Sequence, residues 1–469
     1  MKKLLLPAAF IMGAAVVQAT PDDLKPRVVI MTDIGPADVE PDDNESAVRL
    51  LAYADRFEIE AICTTIGWNC DPYPEDWAVY LDRVIEAYGK DVHNLMKRSG
   101  QESFLNIEEE NGKQQLGYWP STEYIASRAM MGSRRAGIGV IGEDNDSPGS
   151  EQIIRLLNED DDRPIWVLSW GGSNTLAQAL WRLQQQCTPE QLAAYLHKLR
   201  IYTITDQDMQ YSMRMQRDYS SHQWMRREFK DDLLFIWDES AWLNQNGLGV
   251  QNWDKYASLI QGKGEMGKVY PTYKWGVEGD TPSFLHVMPN GLNNPDRPEQ
   301  IGWGGYHVYA LSPDSTTYAW TNWHAPVKGI SDAYEKRFYP DEFSDFAARM
   351  QWADTGAGNV NPDLTINGIG GIAPINIYAL PGQTVTLDAS ASTDRDGDNI
   401  RFNWWLQPEV SEFSVADLGE APVAQFLIPE GTAGKSIQIV CEAHDDGPFT
   451  LPAYRRIIVS VLPQAMAPY

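Results

Sequence analysis

From Arg27 onward, apolar runs of strand length alternate with segments whose apolar residues recur at helical spacing. Val28 to Thr32 is one such run, and Asn44 to Ala54 follows with a helical pattern. Strand Ile59 to Ile66, helix Glu75 to Tyr88, helix Ser150 to Leu157 and strand Pro164 to Ser169 continue the alternation. Helices Asn174 to Gln186 and Pro189 to Leu199 and the strand Arg200 to Ile204 complete it. Strands that are apolar throughout, separated by amphipathic helices, predict an α/β domain: an open, mostly parallel sheet with helices on both faces.

The pattern breaks between Val277 and Pro340 into Gly-, Pro- and aromatic-rich sequence, and a helix from Asp341 to Asp354 closes the first domain. Residues 359–375 read as a linker or first edge strand. From Asn376 the text changes to short alternating runs with turn signals, among them Thr384 to Asp388, Ile400 to Leu406, Ser436 to Cys441 and Ile457 to Leu462. These predict a small all-β sandwich of immunoglobulin type over 376–469, after an α/β domain over 20–358. Two domains suit a chain too long for one core. Trp404 and Trp405 are adjacent on one strand, so they point to opposite faces and at most one sits centrally in the sandwich.

Residues 1–19 have the order of a secretory leader: Met1-Lys2-Lys3, an apolar stretch from Leu4 to Val17, then small residues before Thr20. The expectation is an exported protein, periplasmic or extracellular, with no membrane span after cleavage. The net charge of −27 excludes nucleic-acid polymers and anionic lipid surfaces as natural partners. Four cysteines are few for an exported chain; Cys63 and Cys70 are close enough in sequence to pair, although other connectivities and none at all are equally open.

The candidate chemistry lies at the first strand end. Thr32-Asp33-Ile34-Gly35 leads through a Gly/Pro loop to Glu40-Pro41-Asp42-Asp43, where a helix opens. A single Asp there is explained by helix capping. Three acids at one strand end, with Asp280 in Gly279-Asp280-Thr281-Pro282, ask for a hard divalent cation such as calcium, which binds oxygen ligands. Other strand ends carry Gly67-Trp68-Asn69 and Trp170-Gly171-Gly172-Ser173-Asn174, and open parallel sheets bind ligands at this rim. Seventeen tryptophans, several in Gly-rich loops such as the one holding Trp303, add flat faces that stack on sugars or fill cores.

These segments resemble the inosine-uridine nucleoside hydrolase superfamily, whose hallmark is Asp-Thr-Asp-x-Gly-x-Asp-Asp. The chain has Met31 where the hallmark has its first Asp, and a longer loop before Asp42 and Asp43. Glu-Pro-Asp-Asp-x-x-Ser, Trp170-Gly-Gly-x-Asn-Thr-Leu-Ala, Thr205-Asp206-Gln207-Asp208, Gly279-Asp-Thr-Pro-Ser-Phe and Gly302-Trp-Gly-Gly look more specifically like a family of secreted bacterial proteins. That family joins a nucleoside-hydrolase-like domain to an immunoglobulin-like one and is described as cellulose-binding.

The resemblance implies that Asp33, Asp43, Asp280 and the Trp170 carbonyl hold calcium, that Asp33 activates water, and that Asp42 and Asn69 bind sugar hydroxyls. Asn174, Asp206, Asp208, Glu228, Trp303 and His307 are further candidate substrate contacts, although Asp206 and Asp208 could equally cap the segment that follows them. Many relatives place a His before the late Asp; Gly279 stands there, leaving His307 and His324 as candidate acids by location only.

Two functions stay open. One is an exported calcium-dependent hydrolase of N-glycosidic or related bonds acting on a small sugar or nucleoside-like ligand. The other is a non-catalytic protein that binds a polysaccharide such as cellulose and keeps the metal site as a clamp.

Overall fold

The computed structural model describes residues 16–18, 24–208 and 217–463. The expected leader lies outside the described residues, apart from Val16–Gln18, which pairs antiparallel with Asn376–Tyr378. Among the described residues no helix is long and apolar enough to cross a membrane.

The first domain is built on an eight-stranded sheet. Its strands are β1 (Arg27–Thr32), β2 (Glu58–Thr64), β3 (Ala129–Met131), β4 (Ile165–Ser169), β5 (Leu199–Ile204), β6 (Leu234–Asp238), β7 (Val308–Leu311) and β8 (Tyr318–Thr321). They lie in the order β3-β2-β1-β4-β5-β6-β8-β7, and every pairing is parallel except β7 with β8. β1 is fully buried, and its residues alternate between two cores: Val28 and Ile30 face one helical layer, Val29 and Met31 the other. Met31 is therefore a core residue on the face away from the acids' helix.

One layer holds α1 (Pro41–Ala52), α2 (Ala78–Ser99), a short helix α5 (Thr281–Val287) and α6 (Ala325–Thr355). The other holds α3 (Asn174–Gln186) and α4 (Ser221–Phe229). The expected doubly covered α/β architecture is the observed one. α6 runs well past its predicted start, with Pro340 inside it. Proline in a helix interior costs ~3 kcal/mol, but Phe338, Tyr339, Phe343 and Phe346 are buried on both sides of it, and that packing carries the helix through. β7, β8 and α5 fall in the stretch read as loop; each is short and sits among Gly and Pro, so no period is long enough to see.

The C-terminal strands form a separate sandwich around Trp404, Ile439, Cys441 and Ile457. A larger sheet contains β9 (Ile375–Ala379), β14 (Pro452–Val461), β13 (Ser436–His444) and β11 (Arg401–Leu406); β10 (Thr384–Asp388) pairs with β12 (Val423–Leu427) across the core. Leu364 and Ile366, in the segment read as a linker or first edge strand, join this core, and Asp363 bridges to Thr393. Trp404 is buried in it, while Trp405 faces the first domain, close to Phe338, with its ring under Arg337. All four cysteines are free. Cys63 points into the α3 layer and Cys70 into a small cluster with Ile66 and Tyr73, which is why the two do not pair.

The domains are locked by polar contacts. The buried Arg456 donates to the carbonyls of Leu292 at 2.9 Å and Ile301 at 2.7 Å. His444 meets Asp341 of α6 at 2.9 Å, and Tyr454 donates to the same carboxylate. Burial works against a charged His444, but the bond to Asp341 wins and raises its pKa above the usual 6.5. A histidine with a raised folded pKa adds stability below its unfolded pKa, and loses it as pH climbs through the folded one. Thermal denaturation of His444→Ala is therefore expected to show a larger drop in Tm at about pH 5.5 than at about pH 9. Equal drops would mean that the imidazole has the same pKa in the folded and the unfolded protein, and that the bond to Asp341 does not favour its charge.

Candidate functional site

β1 and β4 are neighbours, yet the chain leaves β1 toward β2 on one side and β4 toward β5 on the other. Such a switch point opens a crevice at the carboxyl ends of the two strands. Asp33 is the first residue beyond β1, and Trp170 the first beyond β4. Asp33 is 2 % exposed. A Cβ on Gly67 would lie 1.7 Å from its Oδ2, and one on Gly171 2.7 Å from its Oδ1. Glycine at both positions lets two loops close around one carboxylate.

α1 delivers the next acids. Pro41 occupies its first turn, and Glu40, at the cap position, makes no capping hydrogen bond with its side chain. Thr32 donates its hydroxyl to Asp43. Asn69 donates to Glu40 Oε1 at 2.6 Å. One oxygen each from Glu40, Asp42 and Asp43 all lie within 4.8 Å of one another. Asp42 alone of these is partly open to solvent, and together with Asn69 and Trp68 it marks the mouth.

Asp280 enters from the loop before α5, and its buried Oδ2 has no hydrogen-bond partner. That loop is clamped to α1. Glu45 accepts the Glu278 N–H at 2.7 Å, and Arg49, one turn on, donates to the Glu278 carboxylate at 2.5 Å. A second tie runs from the Trp170 indole to Ser283 Oγ at 2.7 Å, and from there to the Asp280 carbonyl at 2.7 Å.

Burial raises the carboxyl pKa of Asp33, Glu40, Asp42, Asp43 and Asp280. For all but Asp42, neighbouring acids push further the same way. Among the described residues no Lys or Arg pairs with any of the five. An all-oxygen donor set, with one oxygen unpartnered, has the chemistry of a hard-cation site.

The family described as cellulose-binding Sde182, nucleoside hydrolase-like domain, matches residues 27–307, and that described as cellulose-binding protein Sde0182, C-terminal domain, matches 384–461. The chain belongs to this cellulose-binding family. A solved nucleoside hydrolase-related protein from Saccharophagus degradans, described as associated with carbohydrate metabolism, is 32% identical. The match covers 93% of this chain and 100% of that one, with a TM-score of 0.78. A PKD domain from KIAA 1837 protein aligns over 20% of this chain and 85% of its own, at 17% identity and a TM-score of 0.16. A search of the curated proteins gives no match.

In this Sde182-type domain Asp33, Asp42, Asp43, Asn69 and Asp280 lie around the same rim, with Glu40 among them. The Trp170 carbonyl reaches the same rim and accepts a hydrogen bond from Gln207. Other expected contacts are corrected. Asn174 is fully buried, with its amide spent on both backbone groups of Gly137. Asp208 caps α4 through Ser221 and the His222 N–H, and also holds the Ser173 N–H. Asp206 accepts from Ser220 at 2.8 Å, so both carboxylates of this pair brace the turn.

Glu228 meets Gln184 at 2.6 Å. Both lie near the far ends of helices that start at the rim, which carries them away from the site. Trp303 is 4 % exposed and packs edge-on to Tyr454 of the sandwich, where it lines a cavity of about 750 Å³ between the domains. None of the five acids lines that cavity. His307 is fully buried beside Asp238 and Asn322, closed to any ligand.

Thr32, Glu40 and Gln207 also meet the site, through Asp43, Asn69 and the Trp170 carbonyl, and each stands in one of the sequence motifs beside its aspartates.

The close packing at the rim is testable by stability. Gly171→Ala is expected to destabilise the fold by about 1–3 kcal/mol, because its Cβ meets Asp33 and the Ile66 carbonyl. Gly247→Ala, in a helix with open space around it, is expected to stabilise by about 0.5–1 kcal/mol. Urea unfolding of the two variants checks both signs; a neutral Gly171→Ala would contradict the packing around Asp33.

Proposed function

We propose that the rim site binds calcium and the hydroxyls of a small sugar, and hydrolyses an N-glycosidic or related glycosidic bond. The observation that carries this reading is the convergence of five carboxylates, four buried and Asp42 at the mouth, with no basic side chain among the described residues to neutralise them. Asp33, Asp43 and Asp280, with the second lone pair of the Trp170 carbonyl, would hold the ion. When bound, calcium supplies positive charge that fixes sugar hydroxyls and makes water a better nucleophile.

The protein residues divide the remaining work. Asp33 is held between Gly67 and Gly171 and acts as the general base, taking a proton from the attacking water. Asp42, at the mouth, accepts hydrogen bonds from sugar hydroxyls. The buried acids together stabilise the positive charge that develops on the sugar as the glycosidic bond breaks. A Cβ on Gly279 would sit 2.8 Å from Asp42 Oδ2, so no imidazole stands beside Asp280 to protonate the leaving group. Substrates that leave without an acid are therefore favoured.

The leader pattern supports an exported protein that meets its ligand outside the cytoplasm. The family's description as cellulose-binding supports a second reading, in which the same site clamps a polysaccharide end without turnover.

The test is a panel of nucleosides and of glycosides with good leaving groups, assayed with calcium and with chelator. Turnover of an activated substrate is expected, abolished by chelator. Asp33→Asn is expected to lower kcat/KM by roughly 10²–10⁴-fold. Absence of calcium-dependent turnover, combined with retention on cellulose, would overturn the hydrolase reading in favour of the binding one.

A further inference from the structure

We infer that Glu40 is an additional ligand of the cation held by Asp43, and that Asn69 is the residue that positions it. The inference rests on the calcium reading above. It assigns Glu40 a role outside the aspartate hallmark and gives Asn69 a different one.

Three observations converge. The Glu40 oxygen lies within 4.8 Å of oxygens on both Asp42 and Asp43. Calcium–oxygen distances are about 2.4 Å, so ligands of one ion stand up to about twice that apart. Glu40 is therefore close enough to share the ion. Its backbone is fixed from three sides: the Glu40 N–H donates to Pro36 at 2.9 Å, Asn44 donates to the Glu40 carbonyl at 2.8 Å, and Pro41 follows.

The side chain is also committed. It sits at the cap position of α1 yet caps nothing, and reaches instead to the acids, 7 % exposed, with Asn69 on one oxygen. Asn69 itself is exposed, so it braces Glu40 from the solvent side. Independently, Asp280 is 3 % exposed and has an oxygen with no partner, and Asp43, Asp42 and Glu40 are the acids whose charges bear on it most. A buried oxygen left without a hydrogen bond beside those acids is suited to a cation. The loop from Gly35 to Glu40, longer than in the hallmark, thus has a purpose: it brings a fourth carboxylate, beside those of Asp33, Asp43 and Asp280, to the ion.

The experiment is calorimetric titration of calcium alone into chelator-treated full-length protein, with circular dichroism and thermal melts on each variant. Wild type is expected to bind one ion, with a calcium-induced rise in Tm. Glu40→Gln is expected to weaken binding roughly 10–100-fold while leaving the calcium-free Tm no lower than wild type, because a like charge has gone. Glu40→Asp keeps the charge but withdraws it by one methylene, and is expected to lose affinity as well. Asn69→Ala is expected to weaken binding less than Glu40→Gln.

Wild-type affinity in both Glu40 variants, with Asp43→Asn still defective, would overturn the role of Glu40 and leave the calcium reading intact. No calcium binding by wild type would overturn both.

Discussion

Carboxylates crowded into one largely buried crevice are the constraint around which the first domain is organised. The parallel sheet brings the ends of β1 and β4 together, and α1 starts within reach of both. Asp33, Glu40, Asp42, Asp43 and Asp280 then have nowhere to separate to. Each hydrogen bond made to them, from Thr32 to Asp43 and from Asn69 to Glu40, lessens the repulsion without removing it. What holds the arrangement against that repulsion is mechanical. Gly67 and Gly171 let two loops pack directly on Asp33, and the Glu45 and Arg49 pair fastens the Asp280 loop to the same helix that carries Asp42 and Asp43. On the reading proposed above, a bound cation would relieve that repulsion.

The sandwich contributes to this from a distance. It buries Arg456 against carbonyls of the first domain and packs Trp405 and Tyr454 on α6. α6 in turn lies against α1 and α2 in one continuous core. The second domain is a buttress for the helical layer behind the acids, and Trp303 is one of the residues through which the two domains meet.

Much of this was legible from residues alone. The doubly covered parallel sheet follows from uninterrupted apolar strands such as Val28 to Thr32, which only a sheet buried on both faces tolerates. The acids were found because strand-end carboxylates beside glycines are unusual. What the sequence hid was direction. Asp206 and Asp208 share a motif with Gln207, but an alternating turn sends the amide to Trp170 and the carboxylates to α4. Glu228 is a candidate contact by the resemblance, yet lies where α4 has run back from the rim. His307 and Trp303 sit in a loop rich in aromatics, and burial among their own neighbours took both out of reach. Pro340 suggested a helix start because its local cost is visible in the text and the packing that overrides it is not.

The account turns on whether one ion sits among carboxylates drawn from separate stretches of chain. A crystal structure of the calcium-soaked protein, with anomalous scattering used to locate the metal, tests this most directly. A single strong peak is expected at the rim, within bonding distance of Asp33, Asp43 and Asp280 together. An absent peak, or three carboxylates pointing to different places with the ion held by none of them, would contradict it.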